Sequence, residues 1–218
     1  MADAAQSKPM DAHIHESGTR RDFLQIAATV VGGIGAAIAV WPLIDSMNAA
    51  KDTLAAGAPL DIDLSHLQPG QQIVVLWRSR PIFIVNRTPA ELKTLQETQV
   101  TGLLRDPQSE ANQQPDYAKN WHRSIKPEFA ILVGICTHLG CIPEFKPAPG
   151  GDLGAAWPGG YFCPCHGSRY DLAGRVFAGV PAPYNLPVPP YNFISDSVIR
   201  IGENPAGSAF NLNSIEQL

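Results

Sequence analysis

The longest feature in the hydropathy pattern is a stretch of twenty-two residues, Phe23 to Ile44, that carries no charge. As a helix it is ~33 Å long, enough to cross the hydrocarbon core of a bilayer. A buried helix of a soluble domain is the alternative. The unbroken lack of charge, with Arg21 and Asp45 as flanks, favours a membrane span. Gly32, Gly33, Ala36 and Ala37 set small residues four apart, which lets a second membrane helix approach, and Trp41 suits an interface. Beyond residue 58 the period changes. Gln72–Trp77 and Pro81–Arg87 are apolar, β-branched runs separated by Arg78, Ser79 and Arg80, which predicts a hairpin. Thr88-Pro89-Ala90-Glu91 has a capping hydroxyl, proline at the first helical position and glutamate three residues after the cap, so a short helix is expected to about Gln96. Phe129–Ile135 is continuously apolar and predicts a buried strand. Gly174–Phe177 and Ser197–Ile201 predict two more, and the Gly/Pro-rich stretch 143–160 predicts a loop. The fold expected is mainly β, with one N-terminal transmembrane helix.

Composition supports short strands and tight turns: 20 prolines and 19 glycines stand among 218 residues that are 44% hydrophobic. That length allows one ordinary domain with appendages. The net charge is −4 and the only basic pair is Arg20-Arg21, which excludes nucleic acid as the partner. Residues 1–19 show no apolar period and read as a mobile tail, whose His13 and His15 are left out of any site. Residues 45–58 are small and mixed and read as a flexible hinge, with a short Ala-rich helix as the alternative. Residues 99–127 give little pattern; Trp121 and His122 are read there as packing and surface residues.

The chemistry is concentrated in two boxes, Cys136-Thr137-His138-Leu139-Gly140-Cys141 and Cys163-Pro164-Cys165-His166-Gly167-Ser168, the second followed by Arg169-Tyr170. They hold all four cysteines and two of the six histidines. Cys136, His138, Cys163 and His166 could hold a tetrahedral zinc, since zinc takes thiolate and imidazole in closed sites. If those four bind metal, Cys141 and Cys165 remain as a pair that can bridge the loops.

The two boxes resemble those of Rieske iron-sulfur proteins. The resemblance implies one [2Fe-2S] cluster, with Cys136 and Cys163 on the inner iron and His138 and His166 on the outer iron. It also implies that Ser168 and Tyr170 donate hydrogen bonds to cluster sulfurs, that Cys141 and Cys165 form a disulfide, and that Leu139 covers the cluster and enters a partner's pocket. A third loop of the family, Gly-Pro-Ala-Pro, has here an interposed valine: Gly179-Val180-Pro181-Ala182-Pro183. Thr19-Arg20-Arg21-Asp22-Phe23-Leu24 resembles a twin-arginine export signal. A cleaved signal peptide would have a shorter apolar core, so an uncleaved anchor is expected.

Taken together, anchor, hinge, extra cysteines and Ser/Tyr pair resemble the iron-sulfur subunit of the cytochrome bc complex. The organisation this implies is a cytoplasmic tail at 1–20, a membrane helix at 21–44, a hinge at 45–58 and a Rieske head of antiparallel sheets at 59–218, its cluster-binding part at about 130–185. The implied work is one-electron oxidation of ubiquinol at a cytochrome b subunit and delivery to a c-type haem subunit, with His166 hydrogen-bonding the quinol and accepting its proton, and with the ring protons of both catalytic histidines, His166 and His138, becoming more acidic when the cluster is oxidised. The implied place is a dimeric complex in the bacterial inner membrane, in contact with lipid, with the head periplasmic. A Rieske subunit of another exported oxidoreductase, or an exported structural zinc module, are the alternatives.

Overall fold

The structure, a computed structural model, describes residues 18–48, 57–100 and 102–217. Most of the expected tail, with His13 and His15, and residues 49–56 of the expected hinge lie outside the described residues. The chain divides into two compact units, residues 1–50 and 51–218.

In the first unit a single helix, α1, runs Arg20–Asp45. Its start is specified by a capping box. The Thr19 hydroxyl accepts the Asp22 amide at 3.3 Å and the Asp22 carboxylate accepts the Thr19 amide at 2.8 Å. Within the apolar run the Thr29 hydroxyl donates to the Gln25 carbonyl one turn back, so this polar group is satisfied inside the helix. None of the helix residues is buried. At 26 residues and ~39 Å, α1 is long and apolar enough to span a membrane.

The second unit contains three antiparallel three-stranded sheets. The first joins β1 (Leu60–Asp63), β9 (Val198–Ile201) and β8 (Tyr191–Phe193), in that order. The second joins β2 (Gln72–Trp77), β3 (Arg80–Asn86) and β4 (Phe129–Val133). The third, smaller sheet joins β5 (Glu144–Lys146), β6 (Gly160–Phe162) and β7 (Arg169–Tyr170). The hairpin predicted at 72–87 is tighter than expected: Trp77 pairs with Arg80, and the turn is Arg78-Ser79 alone, both at positive φ. That backbone matches the twist of the flanking strands.

β3 lies between two neighbours, and Ile82, Ile84, Ile131 and Val133 are completely buried. Each such side chain contributes about 2 kcal/mol by leaving water. The helix after β3, α2 (Pro89–Val100), has the predicted box: the Glu91 carboxylate accepts the Thr88 amide at 2.6 Å and the Thr88 hydroxyl accepts the Glu91 amide at 3.3 Å. It continues past Gln96. Two further expectations are corrected. The stretch 143–160 is not all loop, because β5 forms there on β6, and 174–177 forms only isolated bridges, Tyr170 to Val176 and Leu104 to Phe177. Strands this short exist only where a partner is already in place.

Three buried arginines tie the base of the head to the turn after β7. Arg87 donates to the carbonyls of Pro127 and His122, both at 2.9 Å, and to Leu172 at 3.4 Å. Arg123 donates to the Ala173 carbonyl at 3.0 Å and to the Gln114 side chain at 2.8 Å. Arg175 holds the Asp171 carboxylate at 2.7 Å and reaches the Leu95 carbonyl on α2 at 2.7 Å. Burial lowers the Arg87 pKa to about 10 and that of Arg123 to about 9, so both remain cationic at neutral pH. The poorly patterned stretch 99–127 is therefore held by buried polar groups, among them Ser109, Gln113, Gln114, Arg123 and Ser124. Trp121 packs against Leu95, Leu172 and Ala173, and His122 is half-buried.

The His122 ring nitrogen Nδ1 lies 2.8 Å from the Ser124 hydroxyl, which also accepts from Arg87. Burial, and then the Arg87 charge, lower the His122 pKa from 6.5 to about 4. Between those values the unfolded chain binds a proton that the folded chain refuses. Stability from this site is complete above pH 6.5, falls as pH drops toward 4 and levels off below. Because half of the ring faces water, the loss is smaller than the full shift implies. Thermal melts of the wild-type chain and of His122→Gln between pH 7.5 and 4 should show a shallower decline in the variant; parallel declines would refute the assignment.

Candidate metal centre

The two boxes fold into two loops with the same backbone closure. In loop 1, between β4 and β5, the Cys136 amide donates to the Cys141 carbonyl at 2.7 Å and the Gly140 amide donates back to the Cys136 carbonyl at 3.0 Å. In loop 2, between β6 and β7, the Cys163 amide donates to the Ser168 carbonyl at 2.8 Å and the Gly167 amide to the Cys163 carbonyl at 2.9 Å. Each cysteine thus bonds the carbonyl five residues on and receives the amide four residues on. The residue four on has φ of +82° in loop 1 and +78° in loop 2. Only glycine takes that conformation without strain, which is why Gly140 and Gly167 occupy it.

These closures turn one cysteine of each box inward and one histidine outward. Cys136 and Cys163 are buried free thiols, His138 is half-buried and His166 is exposed. The two imidazole rings meet edge to face with centroids 4.7 Å apart. Cys141 and Cys165 are joined in a disulfide, Cα to Cα 6.7 Å, which ties loop 1 to loop 2 across 24 residues of sequence. The sulfurs of Cys141, Cys163 and Cys165 lie within 4.8 Å of one another. Two of the three are bonded to each other, so only Cys163 of that trio is free to take a metal.

The two free thiols lie inside, and the two imidazoles meet outside them. Their surroundings fit a metal cluster. Nδ1 of His138 is buried with no hydrogen-bond partner among the described residues. An orphaned ring nitrogen costs free energy unless something takes its lone pair, and a metal does so. Burial pushes the Cys163 thiol up, and the neighbouring Cys136 adds to this. A bound cation would make thiolates favourable in such a place.

Around the thiols the structure sets hydroxyls. Tyr170 is buried and its hydroxyl donates to the Cys136 sulfur at 3.2 Å. The same oxygen accepts the Thr137 amide at 3.2 Å, while the Thr137 hydroxyl donates to the Tyr184 carbonyl at 2.7 Å. Burial raises the Tyr170 pKa far above the usual phenol range, so the group keeps the proton it donates. Ser168 is also buried; its oxygen accepts the Ala182 amide at 3.1 Å, leaving its own O–H to donate. No described bond runs from Ser168 to a cysteine sulfur. Leu139 is 70% exposed at the tip of loop 1 and Ile142 is exposed beside it.

Thr137 and Asn185 escaped the sequence reading. Thr137 bonds to Tyr170 and Tyr184, and the Asn185 side chain accepts the Val176 amide at 2.8 Å, so both pin the 180s segment under the loops. The position of Thr137 between Cys136 and His138 was the available signal; Asn185 had none.

Comparison with known proteins agrees with this geometry. Residues 111–191 match the Rieske [2Fe-2S] domain family, and residues 10–50 match the family described as ubiquitinol-cytochrome C reductase Fe-S subunit TAT signal. The chain is 50% identical over 191 residues to the ubiquinol-cytochrome c reductase iron-sulfur subunit of Allochromatium vinosum, covering 87% of this chain and 91% of that one. It is 48% identical to the subunit of the same name from Blastochloris viridis, with 86% and 95% covered. It is 47% identical to that of Rhodospirillum rubrum, with 84% and 92% covered. Two buried thiols, two meeting imidazoles and a relative of half-identical sequence along nearly the whole chain lead to one assignment: the protein belongs to the family of Rieske [2Fe-2S] iron-sulfur subunits of ubiquinol-cytochrome c reductase.

Proposed function

We propose that the chain takes one electron from ubiquinol in a pocket of a cytochrome b subunit and passes it to a c-type haem subunit, acting only within that complex. What supports this most directly is the contact of the His138 and exposed His166 rings, with Cys136 and Cys163 buried and free and the apolar Leu139, next to His138 in the chain, exposed. In this reading Cys136 and Cys163 bind the inner iron and His138 and His166 the outer. When bound, the [2Fe-2S] cluster supplies one-electron redox chemistry, at a potential raised by imidazoles replacing two thiolates.

The chain's own groups do the rest. Cys136 and Cys163 give up their protons to bind. The Tyr170 hydroxyl lies on the Cys136 sulfur and withdraws negative charge from it, which favours the reduced state. An imidazole that gives one nitrogen to iron keeps the other to hydrogen-bond a quinol hydroxyl and take its proton. His166, being exposed, is the residue for that contact. Leu139 shields the centre and enters an apolar pocket on the partner.

The same reading takes residues 1–20 as a cytoplasmic tail, 21–44 as the membrane span and 45–58 as a hinge. Residues 59–218 are then a periplasmic head, its cluster-binding part at about 130–185, in a dimeric complex of the inner membrane surrounded by lipid. A disulfide at Cys141 and Cys165 suits a compartment outside the cytoplasm.

Purification of the chain from membranes should bring b- and c-type cytochromes with it, together with iron and acid-labile sulfide in equal amounts; zinc in their place would overturn the proposal. Tyr170→Phe should lower the midpoint potential while the cluster still assembles, and Ser168→Ala should do the same if its free O–H points at a sulfur. A redox titration decides both, and an unmoved potential in Tyr170→Phe would remove its electronic role. Cys141→Ser opens a 24-residue closure worth roughly 3 kcal/mol in the unfolded chain, so melting and cluster retention should both fall. Unchanged melting with full iron content would show the disulfide to be dispensable.

A further inference from the structure

The segment that follows β9 runs back across the head to loop 1. Leu212–Ser214 form one 3-10 turn, opened by Asn211, whose side chain accepts the Asn213 amide at 2.9 Å. Leu212 is buried, and Phe210 and Ile215 pack on the main core. Two neighbouring side chains hold the segment down: Asn112 donates to the Ser214 carbonyl at 2.7 Å and Gln113 to the Gln217 carbonyl at 3.0 Å. Gln113 is itself completely buried, and its own carbonyl accepts the Val188 amide at 2.9 Å. Its position is set by the core. From that footing the Gln217 side-chain amide donates to the backbone carbonyl of His138 at 3.3 Å, across 79 residues of sequence.

We propose that residues 211–217 are a strap on loop 1 and that Gln217 is a positioning residue for His138 and Leu139. The bond falls on the peptide that joins those two residues, so it limits rotation about the backbone that aims the imidazole on one side and the exposed leucine on the other. Loop 1 needs such support. Its tip, Leu139-Gly140, is exposed; apart from the Gly140 amide, which closes the turn onto Cys136, the other backbone bonds of the loop are those of Cys136 and of the Thr137 amide on its incoming side. Among the described residues the strap makes no bond to loop 2, which is the built-in control.

One neutral hydrogen bond from a half-buried glutamine is too weak to govern global stability but large enough to change the opening of a single loop. The role described rests on the ligand assignment above only for its spectroscopic consequence. The experiment uses the purified complex carrying Gln217→Ala or Gln217→Glu, the latter keeping the reach but not the donor. Peptide-resolved hydrogen exchange over residues 136–142 should become about three- to tenfold faster in both variants. Exchange over 163–168, iron content and melting should stay as in the wild type. The electron paramagnetic resonance signal of the reduced protein should keep its intensity and broaden, because the His138 ring samples more orientations. Unchanged exchange over 136–142 in both variants overturns the proposal, and so does a rise in both loops together with a fall in melting, which would make the strap a general brace. The ligand assignment fails separately: full iron content in Cys136→Ser or His138→Ala would remove it while leaving the exchange result standing.

Discussion

The pair of backbone hydrogen bonds that closes each cysteine loop decides where every donor at this centre points. Cys136 and Cys163 are fixed at their amides and carbonyls alike, so their side chains have one direction available, into the core. The glycine four residues on must take a left-handed conformation for the closure to form. His138 and His166 sit within the closed turns, at different offsets, and meet edge to face on the outside. A disulfide then holds the two loops against each other. A site held in this way loses little entropy when it is filled.

Such a site needs a rigid base, and the base is built with charge as well as with apolar packing. Among the described residues three arginines are buried in the head, and the one carboxylate among the buried side chains is that of Asp171. Backbone carbonyls at Pro127, His122, Leu172, Ala173 and Leu95 accept five of the eight hydrogen bonds these guanidiniums make among the described residues. Each of these carbonyl bonds crosses between segments far apart in sequence, and each is costly to lose because it would leave a guanidinium or a carbonyl buried alone. The third sheet, with strands of two or three residues, could not hold its place by its own ladder. It is held by these crosslinks and by the core beneath.

α1 has no buried residue and is long and apolar enough to span a membrane. The head keeps its apolar side chains inside except at a few places, among them Leu139, which follows His138 in loop 1, and Ile142, which follows Cys141.

Some of this was decided locally and so was legible in the chain. The 22-residue uncharged run, the Thr88-Pro89-Ala90-Glu91 cap, the strand at 129–133 and the two boxes each carry their cause within a few residues: hydration of charge, a satisfied amide, a β-branched run, or the spacing of soft donors. Other features had no local cause. Residues 174–177 have strand-forming side chains but form only bridges, whereas Glu144–Lys146 lie in a proline- and glycine-rich stretch and form a strand, because pairing depends on which backbone arrives alongside. The role of Arg123 depended on the Ala173 carbonyl 50 residues away, and that of Gln217 on His138, 79 residues away. Spacing along the chain could nominate the donors, since ligand chemistry belongs to residue type. Which polar groups would be buried and which distant partner would satisfy each was a matter for the folded chain alone, because a hydrogen bond gains its value where water is excluded, and only packing excludes it.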